Sequence, residues 1–223
     1  MDDIIYFMRK TPFVNGEIYH VFNRGVDKRN IFINKYDLER FFQSMSQFNR
    51  IEPIGSIYEN RFVKQKYQLG CPTTKLVNFI CYCINLNHFH FMLEQVSDNG
   101  ISEFMKRMGG YTRYFNEKHQ RTGFLFQGKF KSIHIDSNEY LLHLSAYVNL
   151  NNRVHKIKNE NPLFKNRSSW EEYININNNN FCKKDLILGQ FKNKKEYKKF
   201  AEDSLQDILD KKNEEEIKDL LLE

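Results

Sequence analysis

Cysteine is scarce and scattered. The four thiols, Cys71, Cys81, Cys83 and Cys182, form no paired C-x-x-C units, which argues against a structural zinc ribbon. Long apolar runs are missing as well. No stretch reaches the ~20 residues that a bilayer-spanning helix needs, so no membrane partner is expected. The chain opens on acidic Met1-Asp2-Asp3 and the apolar run after it is short, so no secretory leader is expected. Together these absences point to reduced thiols in a cytoplasm. No internal repeat is visible.

What is present can build a core. Of 223 residues, 40% are hydrophobic and 28% charged, a balance that excludes bulk disorder. The length fits one domain with an extension, or two small domains. Twenty Phe and twelve Tyr can fill a core, with some left to stack on bases. The net charge of +6 and pI of about 9.0 suit a polyanionic partner. The acidic run Glu214-Glu215-Glu216 hides part of a more basic body.

Hydrophobic spacing orders the elements. Ile18 to Phe22 predicts a strand ended by Asn23-Arg24-Gly25, and Asp37 to Phe48 a helix with Leu38, Phe41, Phe42 and Met45 on one side. The segment from Ile51 to Lys75 is mixed. Val77 to Glu94 predicts strand with a break near Asn85-Leu86-Asn87, its odd positions Phe79, Cys81, Cys83, Phe89, Phe91 and Leu93 on an apolar face. The even positions, Tyr82, His88, His90 and Glu94, then face the other way. Ile101 to His119 predicts a helix weakened at Gly109-Gly110, and Gly123 to Ile135 a strand. Asp136 with Glu139 has the spacing of a capping box for a helix to about Asn151. Beyond Pro162 come a polar run at Asn175 to Asn180 and helical patterns at Lys194 to Leu209 and Asn213 to Leu222. Alternating strands and helices predict an α/β sandwich, with residues 1–160 as the main domain and 161–223 as an accessory, mostly helical extension.

Four groups of residues can carry chemistry. His88 and His90, one residue apart on a strand, project to one face and can share a metal. With seven histidines in the chain, such spacing arises by chance in about one chain in five, so it is weak alone. Tyr147 and Asn151, four apart on a helix, can address one small site, although Tyr140, Leu144, Tyr147 and Asn151 also form a stripe of the kind that packs a core. Phe124 to Ser132 interleaves aromatics with Lys129 and Lys131, a pattern for phosphates and bases or for a solvated strand face. Asn23-Arg24-Gly25 with Lys28 and Arg29 places cations after a strand, where they can clamp a backbone.

In this order the groups resemble the HUH single-tyrosine transposases, and among them the REP-associated branch of the insertion-sequence-200-like family. His20-Val21-Phe22-Asn23-Arg24-Gly25 resembles that family's opening strand. Asn87-His88-Phe89-His90 resembles its Asn-His-x-His metal motif, Gly123 to Ser132 its Gly-x-Leu-Trp-Gln-Gly-Arg-Phe-Lys-Ser segment, and Tyr147-Val148-Asn149-Leu150-Asn151 its Tyr-Val-x-Leu-Asn motif. The likeness spans roughly residues 16 to 155, and Trp170 to Phe200 resembles the family's C-terminal extension. Departures exist. Asn85-Leu86 stand where the family often has Met-Pro, Asn152 follows where it often has Pro, Phe126 replaces Trp and Lys129 replaces Arg. The last loses a fork-shaped contact.

The resemblance implies a ferredoxin-like or RRM-like antiparallel sheet with helices packed on it. It implies nicking and joining of single-stranded or hairpin DNA by a monomer or homodimer. Tyr147 is then the nucleophile that forms a 5′-phosphotyrosine. A divalent metal, Mg²⁺ or Mn²⁺, sits on His88 and His90 with Asn151 as third ligand. Asn23, Arg24, Gln127, Lys129 and Lys131 contact DNA. Tyr111 and Tyr114 are rival nucleophiles on an earlier helix. A nucleic-acid-binding regulator without catalysis is the alternative reading, and a protein whose histidines are incidental is a third.

Overall fold

The computed structural model describes residues 12–52, 55–59, 74–154, 168–175 and 181–221. Most of the mixed segment after Ile51 and the asparagine run at 176–180 lie outside these residues. Four strands form one sheet: β1 (Ile18–Arg24), β2 (Val77–Ile84), β3 (His88–Gln95) and β4 (Lys131–His134). Their order is β2-β3-β1-β4 and every pairing is antiparallel. Helix α1 (Lys35–Gln47) follows β1, and α2 (Gly100–Met108) with α3 (Gly110–Lys118) follows β3. This β-α-β-β-α-β path with its central β3-β1 pair is the ferredoxin-like arrangement expected from the family likeness.

The two faces of the sheet have separate cores. On one, Val21, Phe79, Phe89, Phe91 and Leu93 pack under Phe41 and Met45 of α1, Phe104 of α2 and Tyr111 of α3. On the other, Ile80, Cys81, Cys83 and Met92 meet α4 (Asn138–Val154) through Leu141, Leu144 and Val148. Trp170 and Tyr173 of α5 (Trp170–Ile174), Ile187 of α6 (Asp185–Leu188), and Tyr197 and Ala201 of α7 (Lys194–Leu221) join this second core. The C-terminal residues thus back the helix that carries Tyr147.

Several predicted elements shift. In β2 the register slips between Phe79 and Cys81. A bulge adds one residue and reverses the alternation beyond it. Cys81 and Cys83 therefore leave the Phe face for the α4 face, and Tyr82 goes the opposite way. β1 continues through Asn23 and Arg24 because both pair with β3. The strand predicted at Gly123–Ile135 shrinks to β4, since Gly123 and Gly128 adopt positive φ of 86° and 72° and break the extended path. Lys129 and Lys131 consequently do not share a strand face. Gly109 divides the predicted 101–119 helix into α2 and α3. Ser137, not Asp136, caps α4 by accepting from Tyr140 N at 3.2 Å. The two helical patterns after Lys194 form the single α7.

The α1 end of the first core holds a buried charge. Asp37 is fully buried. Its carboxylate accepts from Ile33 N, Asn34 N, Lys118 Nζ and His119 Nε2 at 2.8–3.1 Å. Burial alone would raise its pKa. The bonds from Lys118, Ile33, His119 and Asn34 outweigh that and hold the carboxyl below its ordinary range.

Candidate active site

The site is assembled on the α4 face, where β1, β3 and α4 meet. Alternation along β1 sends His20, Phe22 and Arg24 to one face. In the antiparallel ladder Phe22 lies opposite His90, and Arg24 opposite His88. His20, Phe22 and His90 cluster in a triangle, with ring centroids 4.7, 5.1 and 5.7 Å apart. His88 and His90 meet edge to face at 5.2 Å. From α4, the Tyr147 ring stands edge-on to His90 at 5.6 Å, and one helical turn later Asn151 Oδ1 lies 3.1 Å from His88 Nε2. The convergence of two imidazoles, a phenol and a carboxamide is therefore formed within one chain.

Hydrogen bonds set the tautomer of His88. Asn87 donates its Nδ2 to the Lys28 carbonyl at 3.0 Å, which fixes its amide orientation. Its Oδ1 then faces His88 Nδ1 at 2.6 Å, so Nδ1 carries the proton and donates. His88 Nε2 is left with its lone pair, pointing at the Asn151 oxygen, also an acceptor. Asn85 Nδ2 donates to both acceptors, at 2.8 Å to His88 Nε2 and 2.7 Å to Asn151 Oδ1, and the same pair of atoms has the chemistry to ligate a cation. His90 Nδ1 lies 2.9 Å from His20 Nε2. Burial pushes His20 down to about 4, so it is neutral at neutral pH and can accept from a protonated His90 Nδ1. In that tautomer His90 presents Nε2 to the site, the pattern by which an outer partner orients a metal-binding imidazole. Among the described residues no group of three or more His, Cys, Asp or Glu side chains is arranged to hold a metal ion by itself. The donor set here is two imidazoles with a carboxamide oxygen, a mixed nitrogen and oxygen ligation that several divalent ions tolerate.

Tyr147 is half-buried. Burial raises its pKa, the nearby Asn151 amide pulls the other way, and Cys83 adds to the rise. The Asn151–Tyr147 approach falls short of a formed hydrogen bond, and Asn151 Nδ2 is a buried donor without a partner. Helix α4 is fixed from behind. Asn149 donates to the Tyr197 hydroxyl at 2.9 Å and accepts from Ser169 Oγ at 2.7 Å. The rival tyrosines lie elsewhere. Tyr111 is buried in the opposite core with its hydroxyl on the Ile31 carbonyl at 2.7 Å, and Tyr114 accepts from Lys118 at 3.1 Å.

Beside the histidines opens a groove of about 680 Å³. Arg24, Lys28, Lys131, Asn23 and Gln127 line it with His88 and His90, and among the described residues no carboxylate does. Arg24 donates through Nε to Gln127 Oε1, which aims the outer edge of the guanidinium. Asn23 donates to the Gly128 carbonyl at 3.2 Å. Lys129 departs from the predicted cluster. It lines a second, apolar hollow with Phe89, Phe124, Phe126 and Phe130, because the chain reverses at Gly128. Sequence reasoning left out His20 and Asn85. The alternation His20-Phe22-Arg24 could have shown the first. No local pattern marks Asn85, which sits in the hairpin turn.

No curated protein matches the chain significantly. Six chains of solved structures do match. One is a REP-associated tyrosine transposase bound to a REP hairpin, with 12% identity and a TM-score of 0.47 over 75% of this chain and 84% of that one. A family model described as "Transposase IS200 like" matches residues 62–151, a segment that holds His88, His90, Tyr147 and Asn151. Over that segment the chain is recognised as similar to the IS200-like transposases, the family to which its ordered motifs pointed.

Proposed function

We propose that the protein is a single-strand DNA nicking and joining enzyme, a transposase that works through Tyr147. The observation that carries this reading is the meeting of Tyr147 and Asn151, from one helix, with His88 and His90, from one strand. A charge-clamping groove runs directly alongside.

Phosphodiester transfer needs a nucleophile in line and charge neutralised on the nonbridging oxygens. Arg24, Lys28 and Lys131 bind the DNA backbone and hold the scissile phosphate over the imidazoles. The Tyr147 oxygen attacks phosphorus, and the bond to the 3′ oxygen breaks. The phenol loses a proton and the departing oxygen gains one, so the products are a 5′-phosphotyrosine and a free 3′-hydroxyl. Because the phosphodiester energy is kept in the Tyr147 ester, another 3′-hydroxyl can reverse the step and join strands. His88, His90 and Asn151 are the residues that would hold a divalent metal, which supplies Lewis-acid stabilisation of the phosphate charge when bound. Asn87 and His20 keep the two imidazoles turned for that role.

Incubation with single-stranded hairpin DNA and Mn²⁺ tests the reading. Cleavage by the wild-type chain and none by Tyr147→Phe supports it. Binding without cleavage by the wild type would favour the non-catalytic regulator instead.

A further inference from the structure

The β2–β3 hairpin turns at Asn85, whose backbone N–H donates to the His88 carbonyl at 2.8 Å. The turn fixes the main chain and folds the Asn85 side chain inward, where it is buried. Its Nδ2 lies 2.7 Å from Asn151 Oδ1 and 2.8 Å from His88 Nε2. Those two atoms are 3.1 Å apart. The three atoms thus form a nearly equilateral triangle. Adjacent ligands placed 2.1 Å from a six-coordinate Mg²⁺ are separated by about 3.0 Å, so the triangle has the size of one face of such a shell.

The opposite end of the same amide is loosely held. Asn85 Oδ1 receives a contact from the Cys83 thiol at 3.8 Å, a weak donor. Half a turn about the Cβ–Cγ bond exchanges oxygen for nitrogen with almost no change in shape. In one orientation the NH₂ group satisfies two acceptors that would otherwise be buried together. In the other, an oxygen takes its place at the same corner of the triangle.

We propose that Asn85 is a further ligand of the metal site: its carboxamide oxygen binds the cation beside His88 and Asn151, and its NH₂ holds those two atoms in place when the cation is absent. The inference rests on the metal-assisted reading above. It makes the hairpin turn, rather than the strand alone, part of the site.

Mn²⁺ binding to the full chain without DNA, followed by calorimetry and by the loss of the free-ion electron paramagnetic resonance signal, tests it. Asn85→Ala should weaken binding by about tenfold or more. Asn85→Asp, which offers oxygen in either orientation, should bind at least as tightly as the wild type. Circular dichroism and thermal unfolding confirm that each variant is folded. If folded Asn85→Ala binds like the wild type or more tightly, or if folded Asn85→Asp binds more weakly than the wild type, the assignment is wrong. If the wild type itself binds no Mn²⁺, the metal-assisted reading falls first and takes this inference with it.

Discussion

His20→Phe removes one nitrogen contact and little else. The ring at position 20 stacks on Phe22 with centroids 4.7 Å apart and an interplanar angle of 29°, and a phenyl ring can keep that stack. What disappears is the 2.9 Å contact with His90 Nδ1, and with it the constraint that turns His90 Nε2 toward the site. Loss of a buried hydrogen bond costs about 1–3 kcal/mol, or roughly 5- to 150-fold in an affinity that depends on it. Outer partners of metal-binding histidines typically fall in the same range, about 10- to 100-fold. Calorimetric titration with Mn²⁺ measures the effect, and thermal unfolding shows whether the variant retains its stability. His20→Gln, which keeps an acceptor at similar reach, should recover part of the loss. A His20→Phe protein that binds Mn²⁺ within twofold of the wild type would refute the argument that His20 positions His90.

Other outcomes follow from the same geometry. Asp37→Asn breaks a buried ionic cluster and should destabilise the fold by about 3–5 kcal/mol in urea unfolding; a loss under about 1 kcal/mol would contradict the account. The Asp37 pKa is depressed, so its stabilisation is present above the ordinary carboxylate range and lost as pH falls through the folded value. The melting temperature of the wild type should therefore drop more steeply than that of Asp37→Asn between pH 5 and pH 3. Arg24→Gln and Lys131→Gln should each reduce the slope of log affinity for single-stranded DNA against log salt by roughly 0.7. Lys129→Gln, on the far side of the Gly128 reversal, should change that slope less.

The sequence disclosed the site better than it disclosed the strands around it. Strand alternation put His88 and His90 on one face, and helix periodicity placed Asn151 one turn from Tyr147. Both are local relations that survive folding unchanged. Cys81 and Tyr82 were assigned to the wrong faces because a bulge is decided by the partner strand, and pattern alone does not reveal it. Lys129 was misplaced for a similar reason: Gly128 permits a reversal, but only the bridge of Gly25 to Phe126 shows that the chain takes it. Asn85 was legible only as a departure from the family pattern. Its role depends on contact with Asn151, 66 residues away, which no short-range rule can supply.

The central claim is tested most directly by mapping the covalent product. The wild-type chain is incubated with single-stranded hairpin DNA and Mn²⁺, digested with protease and nuclease, and the nucleotide-bearing peptide is sequenced by mass spectrometry. The account predicts a single 5′-phosphate adduct on the peptide that contains Tyr147, and no adduct from Tyr147→Phe. Cleavage with the adduct on Tyr111 or Tyr114, or cleavage retained in full by Tyr147→Phe, would contradict it.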